Sequence, residues 1–359
     1  MALCSASVAL FGSKSVLGVD LGTATIKAVE LSPSGGRFNL KNYGILDFVA
    51  QAETSPKLDD PMLISGLKEL LIRLKPSTKD VVASIASIST FATVIELPYL
   101  SEKDLGKAIP FEARKYIPIP LPEVVLDWSI INIKEFEKYQ NSNLPAGGQY
   151  PNVEVFIAAV PKNETERYKV IFSSAGLNLK ALELENIALT RSLVGEDAAP
   201  LAIVNLGGRS TSIVIIDKGF ERVSRNYELG GFEITKTLSR VLGVGFDRAE
   251  ELKKAEGIAG EKSDLANAIL PLIDLIVFET KKTIANYEES RKVKITKVVL
   301  TGGQANLPGL KDYFTKKIGK EAMTGNPFQK VTYNKTLEPV IKDLGSSLSV
   351  AIGLAMRKV

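Results

Sequence analysis

The chain contains no histidine among its 359 residues. A histidine proton relay, a Ser–His–Asp triad and a histidine-bound metal are therefore excluded. Cysteine is almost as scarce, since Cys4 is the only one. A disulfide framework is impossible, which favours a reducing compartment. We interpret Cys4 as an incidental thiol rather than as a lipid attachment site.

Long apolar runs are also missing. The opening segment MALCSASVALFG is apolar but short, and no basic stretch precedes it. It fits neither a signal peptide nor a membrane span, and no later segment supplies the roughly 18 apolar residues that a span requires. We therefore expect a cytoplasmic protein with no direct membrane span.

Charge of one sign is not in excess, because 45 basic residues face 41 acidic ones. A nucleic-acid binder usually concentrates basic residues in one patch, so no nucleic-acid partner is expected. We interpret the basic run KDYFTKKIGK as a solvated helix face. The chain is 45% apolar, which is enough to build the cores of two domains.

The order of patterns predicts an α/β protein. Residues 15–31 and the following FNLKNYGILDFV predict an antiparallel meander. A helix is predicted from Pro61 to Leu74, behind an aspartate cap. Residues 86–165 differ in composition from the rest of the chain, with many prolines and two strand patterns around the loop NSNLPAGGQYPN. They predict a small α+β subdomain inserted into a larger one.

A strand–glycine turn–strand pattern occurs twice. At an offset of 185 residues, GVDLGTATIKAVEL aligns with IVNLGGRSTSIVII, and Asp20 aligns with Asn205. We interpret this as a duplicated unit. Gly22 and Gly207 lack Cβ, so the backbone amides of each turn can approach and surround phosphate oxygens.

A third glycine loop, LTGGQANLPGL, follows a buried strand pattern and precedes a helix predicted to begin near Leu307. Backbone in such a loop can pass close to a base or ribose, and the helix N-terminus can face phosphate. Each loop alone is a weak signal, whereas the three in this order are more specific.

These motifs resemble the actin-like ATPase superfamily, which includes actin, sugar kinases and the division protein FtsA. Within it, the chain is similar to the PilM family of the type IV pilus inner-membrane platform. The stretches that carry this likeness cover most of the chain in order: LFGSKSVLGVDLGTATIKAVEL, FEARKYIPIPLPEVVLDW, ELGGFEITKTLSRVLGVGFDRAEELKKAEG, LTGGQANLPGL and VAIGLAMR.

The resemblance implies an actin-like fold of two lobes, each with a duplicated βββ-α unit. The first lobe is expected at 1–85 together with 166–199 and the C-terminal 338–359. The inserted subdomain is expected at 86–165 and the second lobe at 200–337.

The resemblance also implies an ATP or ADP site between the lobes. The residues expected to contact the nucleotide are Gly22, Thr23, Ala24, Thr25, Lys27, Gly207, Gly208, Ser210, Thr211, Gly230, Gly231, Glu279, Lys282, Gly302, Gly303, Gln304 and Asn306. Asp20 is expected to hold Mg²⁺, largely through water, and Glu185 to lie near the metal.

Asn205 departs from the family pattern, which has aspartate at this position. An amide cannot act as a base and brings no negative charge to Mg²⁺. We therefore expect nucleotide binding with slow or negligible hydrolysis, and no firm catalytic residue beyond the candidate Glu185.

The function that the resemblance implies is a cytoplasmic scaffold at the inner membrane, attached through a partner. The expected partner is the cytoplasmic N-terminal tail of PilN, lying in a groove beside the insert. The pilus assembly ATPases are left open as further partners. An FtsA-like filament protein and a type II secretion platform component stay open as alternatives. A small-molecule kinase is disfavoured, because Asn205 replaces the candidate base. A homo-oligomer is left open.

Overall fold

The computed structural model describes residues 14–48, 58–131, 152–195, 199–259 and 263–359. Cys4, the opening apolar segment and nearly all of the loop NSNLPAGGQYPN lie outside the described residues. No helix in the described ranges has both the length and the apolar character needed to cross a membrane.

One six-stranded sheet forms the base of the first lobe. Its strands are β1 (Val16–Leu21), β2 (Thr25–Ser34), β3 (Arg37–Asp47), β4 (Asp80–Ile85), β8 (Asn178–Leu184) and β14 (Val331–Thr332). They lie side by side in the order β14-β3-β2-β1-β4-β8. The predicted meander is present as β1, β2 and β3, and β4 and β8 run parallel to β1.

A five-stranded sheet repeats this plan in the second lobe. Its strands are β9 (Leu201–Leu206), β10 (Thr211–Asp217), β11 (Phe220–Tyr227), β12 (Lys297–Thr301) and β13 (Glu321–Thr324). Their order, β11-β10-β9-β12-β13, matches β3-β2-β1-β4-β8 of the first sheet strand for strand. The antiparallel and parallel pairings match as well. The two lobes are therefore copies of one unit, as the sequence predicts.

The inserted subdomain has its own antiparallel sheet in the order β5-β7-β6. Its strands are β5 (Phe91–Pro98), β6 (Val124–Ile130) and β7 (Asn152–Pro161). It has a separate apolar core, to which Leu105 and Ile109 of one helix contribute.

The helices cover the sheets and fill the space between them. They are α1 (Asp60–Leu74), α2 (Glu102–Ala113), α3 (Lys162–Ser174), α4 (Glu185–Leu193), α5 (Gly231–Leu242), α6 (Phe246–Glu256), α7 (Asp264–Arg291), α8 (Leu310–Ile318), α9 (Glu338–Leu344) and α10 (Ser349–Ala355). Helix α1 begins as predicted, because the Asp59 carboxylate accepts from the Met62 amide at 2.8 Å.

Helices α4 and α10 occupy the centre of the molecule. Leu189 and Leu193 of α4 and Leu354 of α10 share one apolar cluster with residues of both large sheets. Helices α1 and α3 pack on the opposite face of the first sheet, and α5 to α8 pack on the second. The first lobe is thus joined to the second through a pair of crossing helices.

The structure refines two details of the prediction. The helix expected near Leu307 begins at Leu310, because Gly309 has a left-handed backbone with φ of 83° that ends the preceding turn. Val331 and Thr332 pair with β3 in the first sheet, although the predicted second lobe extends to residue 337. The other domain limits stay predictions.

Candidate functional site

The turn between β1 and β2 is closed by one backbone bond. The Gly22 amide donates to the Thr25 carbonyl oxygen at 2.9 Å. A Cβ on Gly22 would lie 2.8 Å from that oxygen, so only glycine fits. The turn is therefore a compact four-residue loop at the end of a buried strand.

The turn between β9 and β10 is built in the same way. The Gly207 amide donates to the Ser210 carbonyl oxygen at 2.9 Å. A Cβ on Gly207 would lie 2.9 Å from this oxygen. Since Gly207 and Ser210 correspond to Gly22 and Thr25 in the repeat, the duplication extends to the hydrogen bond that shapes each turn.

The two turns face each other across a cleft between the lobes. A Cβ on Gly208 would lie 2.8 Å from Ala24 Cβ and 3.5 Å from Thr23 Oγ1. Glycine at 208 thus lets the second turn come into contact with the first. The loops that the sequence predicts as two halves of one clamp are opposed in space.

A buried carboxylate lies at the base of the first turn. Asp20 is 4% exposed, and its Oδ1 accepts from the Ser84 hydroxyl at 2.8 Å. The Lys27 ammonium lies 3.6 Å from Asp20 Oδ2. Lys27 faces Asp20 because the two residues are direct partners in the β1–β2 register.

Glu185 opens helix α4 and brings a second carboxylate to the same cleft. Burial raises the pKa of Glu185, and the negative charge of Asp20 raises it further. Lys27 and the Ser87 backbone amide oppose this rise. A buried carboxylate and a half-buried one, close enough to interact in this way, form a site that a cation would stabilise.

Asn205 occupies the position in the second lobe that Asp20 holds in the first. It lies beside Ser212 across the β9–β10 register and beside Thr301 across the β9–β12 register. Its side chain lines the cleft. The two halves of the cleft therefore differ in charge, with a carboxylate on the first lobe and an amide on the second.

The residues that line the cleft come from both lobes and both central helices. They are Asp20, Leu21, Gly22, Thr23, Ala24, Thr25, Lys27, Ala86, Ser87, Ile88, Glu185, Leu189, Asn205, Gly207, Gly208, Ser210, Ser212, Asn226, Gly302, Ser346, Ser347, Ser349 and Val350. The predicted phosphate residues of the first lobe are all in this set, together with Gly207, Gly208, Ser210 and Gly302 of the second.

Two hydroxyls in the cleft wall have no partner among the described residues. Ser87 Oγ and Ser212 Oγ are both shielded from solvent and make no hydrogen bond. An unpaired buried hydroxyl costs on the order of 1 to 3 kcal/mol. Both groups belong to the cleft lining, so a polar ligand placed there would satisfy them.

Thr211 lies outside the cleft lining, and its contact with nucleotide stays a prediction of the resemblance. It is fully buried, and its hydroxyl donates to the Leu229 carbonyl oxygen at 2.6 Å. Alternate residues of a strand point to the same side, so Ser210 and Ser212 line the cleft while Thr211 points away.

Gly230 and Gly231 support the second turn from behind rather than lining the cleft. The Gly231 amide donates to the Gly207 carbonyl oxygen at 3.0 Å. A Cβ on Gly230 would lie 2.7 Å from the Gly208 backbone, and one on Gly231 would lie 2.5 Å from the Gln304 amide carbon. These glycines let α5, the second turn and the third loop pack together.

The third loop contributes Gly302 to the cleft, whereas Gly303, Gln304 and Asn306 lie beyond its lining. Gly303 and Asn306 are exposed, and Gln304 is half-buried against Gly231. The Asn306 amide donates to the Asp343 carbonyl oxygen at 2.6 Å. Asn306 therefore ties the loop to helix α9.

Glu279 and Lys282 also lie outside the cleft lining. The Glu279 carboxylate accepts from the Tyr227 hydroxyl at 2.8 Å, and Lys282 is exposed. Another pair with the same three-residue spacing, Glu250 and Lys253 of α6, lies beneath the Gly231 turn. The roles of Glu279 and Lys282 at the ribose and the base, which the resemblance implies, stay predictions.

Lys253 anchors the start of α5 from below. Its ammonium lies 2.6 Å from Glu250 Oε2 and donates to Thr235 Oγ1 at 2.8 Å and to the Gly231 carbonyl oxygen at 3.2 Å. Only 1% of its side chain is exposed. Burial lowers the pKa of Lys253, and the charge of Glu250 opposes this change.

A serine-rich segment before α10 forms a cleft wall that the sequence analysis did not predict. Ser346, Ser347 and Ser349 line the cleft. The Gly302 amide donates to the Ser346 carbonyl oxygen at 3.1 Å, and Thr301 Oγ1 donates to the same oxygen at 3.0 Å. The signal in the sequence is the GSSLS run itself.

The cleft fits a nucleotide with Mg²⁺ better than a protein-caged metal. No group of three or more cysteine, histidine or acidic residues that could hold a metal occurs in the described ranges. Mg²⁺ keeps several waters and takes its other ligands from one or two carboxylates and from phosphates. Asp20 with neighbouring Glu185 supplies such carboxylates, and the two glycine turns supply amides for phosphate.

Comparisons with known proteins find similarity along most of the chain. The sequence model of the type IV pilus assembly protein PilM matches residues 18–359. Cell division protein FtsA of Enterococcus faecalis is 26% identical over 344 residues, which cover 82% of this chain and 75% of that protein.

Two solved structures share the fold. A PilM–PilN type IV pilus biogenesis complex matches with a TM-score of 0.79 and 23% identity, covering 96% of this chain and 99% of the other. MreB5 of Spiroplasma citri bound to AMPPNP matches with a TM-score of 0.53 and 14% identity, covering 95% of each chain. The actin-like fold that the sequence predicts is confirmed.

Proposed function

Because this chain belongs to the family of the type IV pilus assembly protein PilM, we propose that it is a nucleotide-binding scaffold of a pilus assembly platform. It binds ATP or ADP between its two lobes. With nucleotide in place, it docks the cytoplasmic N-terminal tail of a PilN partner. Its position at the inner membrane depends on that partner.

The observation that carries the nucleotide proposal is the pair of opposed turns. Each turn has the same Gly-to-Thr or Gly-to-Ser backbone bond of 2.9 Å, and they meet at Gly208 and Ala24. A ligand that uses both turns must carry several anionic oxygens in a row, as a nucleoside polyphosphate does. The unpaired hydroxyls of Ser87 and Ser212 add donors to the same wall.

Asp20 is the proposed partner of Mg²⁺ on the first lobe. Its Oδ1 accepts from Ser84, while Oδ2 has no short hydrogen bond from the part of the chain that the structure describes and lies 3.6 Å from the Lys27 ammonium. This arrangement fixes the carboxylate and leaves one oxygen available to a hydrated ion. Lys27 then supplies positive charge to phosphate oxygens beside the ion.

Asn205 makes the scaffold a weak hydrolase. The second lobe contributes an amide where a base or metal-binding carboxylate would stand, next to Ser212 and Thr301. Bound nucleotide is therefore retained rather than consumed. We propose that occupancy, and not turnover, sets the relative position of the lobes.

The inserted subdomain is the proposed site of the partner tail. It contacts the second lobe through paired charges, since Arg222 of β11 lies 2.8 Å from Glu154 of β7 and Arg291 of α7 lies 3.0 Å from Glu96 of β5. A change in lobe position would therefore move the insert. The likeness to a PilM–PilN complex supports PilN as the partner.

Sequence likeness to FtsA supports one alternative, a filament-forming ATPase. Filament formation would appear as an ATP-dependent rise in light scattering by the purified chain. Scattering that stays flat with ATP and Mg²⁺ would leave the scaffold as the supported function.

Nucleotide binding is tested by titrating the purified chain with Mg²⁺ and ATP in a calorimeter. We expect binding by the parent chain and at least tenfold weaker binding by Asp20→Asn, which keeps the side-chain shape. The control is Asp80→Asn, a half-buried carboxylate outside the cleft lining. Equal affinities for the parent and Asp20→Asn would overturn the metal assignment, and no binding by the parent would overturn the nucleotide proposal.

Partner docking is tested separately with a fluorescent peptide that contains the N-terminal tail of PilN. We expect the fluorescence anisotropy to rise on titration with the chain, and more strongly with ATP than without nucleotide. A peptide of scrambled sequence is the control. No rise under either condition would overturn the docking proposal while leaving the nucleotide result intact.

A further inference from the structure

A buried carboxyl group lies where the two lobes meet, away from the cleft. Glu221 of β11 is 7% exposed. Phe220 beside it packs against the core cluster of the first lobe. Strand β11 also contacts α4, the central helix that begins at Glu185. The Glu221 side chain is therefore enclosed by elements of both lobes.

A bulge in β11 directs two polar side chains towards α4. Ile215 pairs with Val223 and Ile216 pairs with Glu221, so Arg222 is an extra residue in the strand. The extra residue puts Glu221 and Ser224 on the same side of the strand. Asn186 of α4 donates to Ser224 Oγ at 3.0 Å, and it lies close enough to the Glu221 carboxyl to lower the pKa of that group.

Two buried oxygen atoms of these side chains have no hydrogen-bond donor among the described residues. They are Glu221 Oε2 and Asn186 Oδ1. An ionised carboxylate and an amide oxygen are both acceptors, so they cannot satisfy each other. A protonated carboxyl donates from one oxygen and accepts on the other, and can therefore bond to both ends of the Asn186 amide.

We propose that Glu221 is a proton-dependent latch between the lobes, closed on Asn186 when the carboxyl carries a proton and loosened when it does not. Asn186 follows Glu185 directly in the first turn of α4, so the latch and the cleft are joined through one helical turn. Loosening the latch frees β11 from α4 and lets the second lobe move relative to the first.

Most of the charged groups around the latch have partners of their own. Arg222 bonds to Glu154 of β7, and Arg191 of α4 bonds to Glu183. Asp217 of β10 accepts from Tyr287 of α7, and Glu96 of β5 pairs with Arg291 of α7. The other two charged groups are Glu185 of α4, which lies in the cleft, and Arg225, which is exposed. Burial accordingly raises the pKa of the Glu221 carboxyl to about 7, and the nearby Asn186 side chain opposes this rise.

The sign of the effect on stability follows from the raised pKa. Below the ordinary glutamate pKa of 4.5, both the folded and the unfolded chain hold the proton. Between that value and about 7, only the folded chain holds it, so stability falls as pH rises through this window. Above about pH 7, Glu221 no longer contributes to stability, and its contribution does not change further with pH.

The test compares the parent chain with Glu221→Gln by urea unfolding, without nucleotide, from pH 5 to 8. Glutamine donates and accepts as the protonated acid does, so the variant keeps the latch closed at every pH. We expect the unfolding equilibrium constant of the parent to rise by up to about tenfold per pH unit, relative to the variant, until pH reaches about 7. The control is Glu228→Gln, an exposed carboxylate just after β11, which should follow the parent curve.

Small-angle scattering provides a second readout that does not depend on unfolding. We expect the radius of gyration of the parent to increase between pH 6 and pH 8, and that of Glu221→Gln to stay constant. Parallel stability curves for the parent and Glu221→Gln would overturn the proton dependence. A pH-dependent stability difference without a change in radius would overturn the loosening of the lobes.

Discussion

The crossing of α4 and α10 predicts a sharp contrast between two glycines in the same segment. Gly353 of α10 packs against the backbone of α4, and a Cβ there would lie 2.5 Å from the Ala188 carbonyl carbon, with the carbonyl oxygen closer still. Gly345, eight residues earlier, is also buried, but a Cβ there would meet Phe328 at an ordinary 3.6 Å. The Gly345 backbone has a right-handed helical conformation that alanine adopts readily.

The loss of stability in Gly353→Ala depends on how far the backbones of α4 and α10 must move apart. To restore a normal contact at Gly353, the two helix backbones must separate by about 1 Å, in an interior that is packed to the density of an organic crystal. Overpacking of this kind costs about 3 kcal/mol when the obstacle is backbone and cannot rotate away. For a chain of this size the thermal midpoint should fall by about 4 °C. Gly345→Ala should change stability by less than about 1 kcal/mol, with stabilisation the favoured direction.

The assay is urea and thermal unfolding of Gly353→Ala and Gly345→Ala, prepared alongside the parent chain. Both variants add one methyl group to a buried glycine, so hydrophobicity and chain entropy change alike. If Gly353→Ala unfolds at the same midpoint as Gly345→Ala, the close crossing of α4 and α10 does not hold the lobes together as described.

Three further predictions concern charged and polar side chains. Asn205→Asp should raise the rate of phosphate release from ATP by about tenfold, because it places a carboxylate on the second lobe. Adding Asp20→Asn should abolish this gain in rate, and a gain that persists would contradict the metal role of Asp20. Lys253→Met should lower the free energy of unfolding, measured in urea, by about 3 kcal/mol, because it leaves Glu250 without its buried cation. Glu250→Gln in the same chain should restore part of that free energy. Arg191→Met should lower the free energy of unfolding by about 2 kcal/mol, because Arg191 makes two hydrogen bonds of 2.6 Å to Glu183. Arg191→Lys should restore only part of this free energy, since lysine cannot bind both carboxylate oxygens, and full recovery would show that charge alone matters.

Local pattern predicted the parts of the site that depend on nearest neighbours in the chain. The strands and the glycine turns follow from alternation and turn chemistry within residues 18–31, and the observed register of the hairpin then places Asp20 beside Lys27. The repeat then predicted the second turn without further information, because a copied unit folds in a copied way. The family resemblance supplied the two-lobed arrangement.

Long-range contacts account for what the sequence did not predict. Whether Ser210, Thr211 or Ser212 faces the cleft depends on the strand register with β9, which composition does not reveal. The approach of Lys253 to Gly231 depends on how α6 packs beneath α5, and the serine wall depends on where the chain returns after β13. In each case the residue type was visible, whereas its neighbour was far away in sequence.

The return of the chain from the second lobe to the first has a consequence for biosynthesis. The face of β2 that carries Val29 and Leu31 is covered by a cluster from the far end of the chain, which includes Phe328, Val331 and Ile352. During translation this face emerges long before the residues that cover it. The first lobe cannot complete its fold until Phe328, Val331 and Ile352 have left the ribosome, so the nascent chain carries an open apolar surface while the second lobe is synthesised. A chaperone that binds such surfaces would act on the strands of the first lobe, even though the missing contacts come from residues that follow the second.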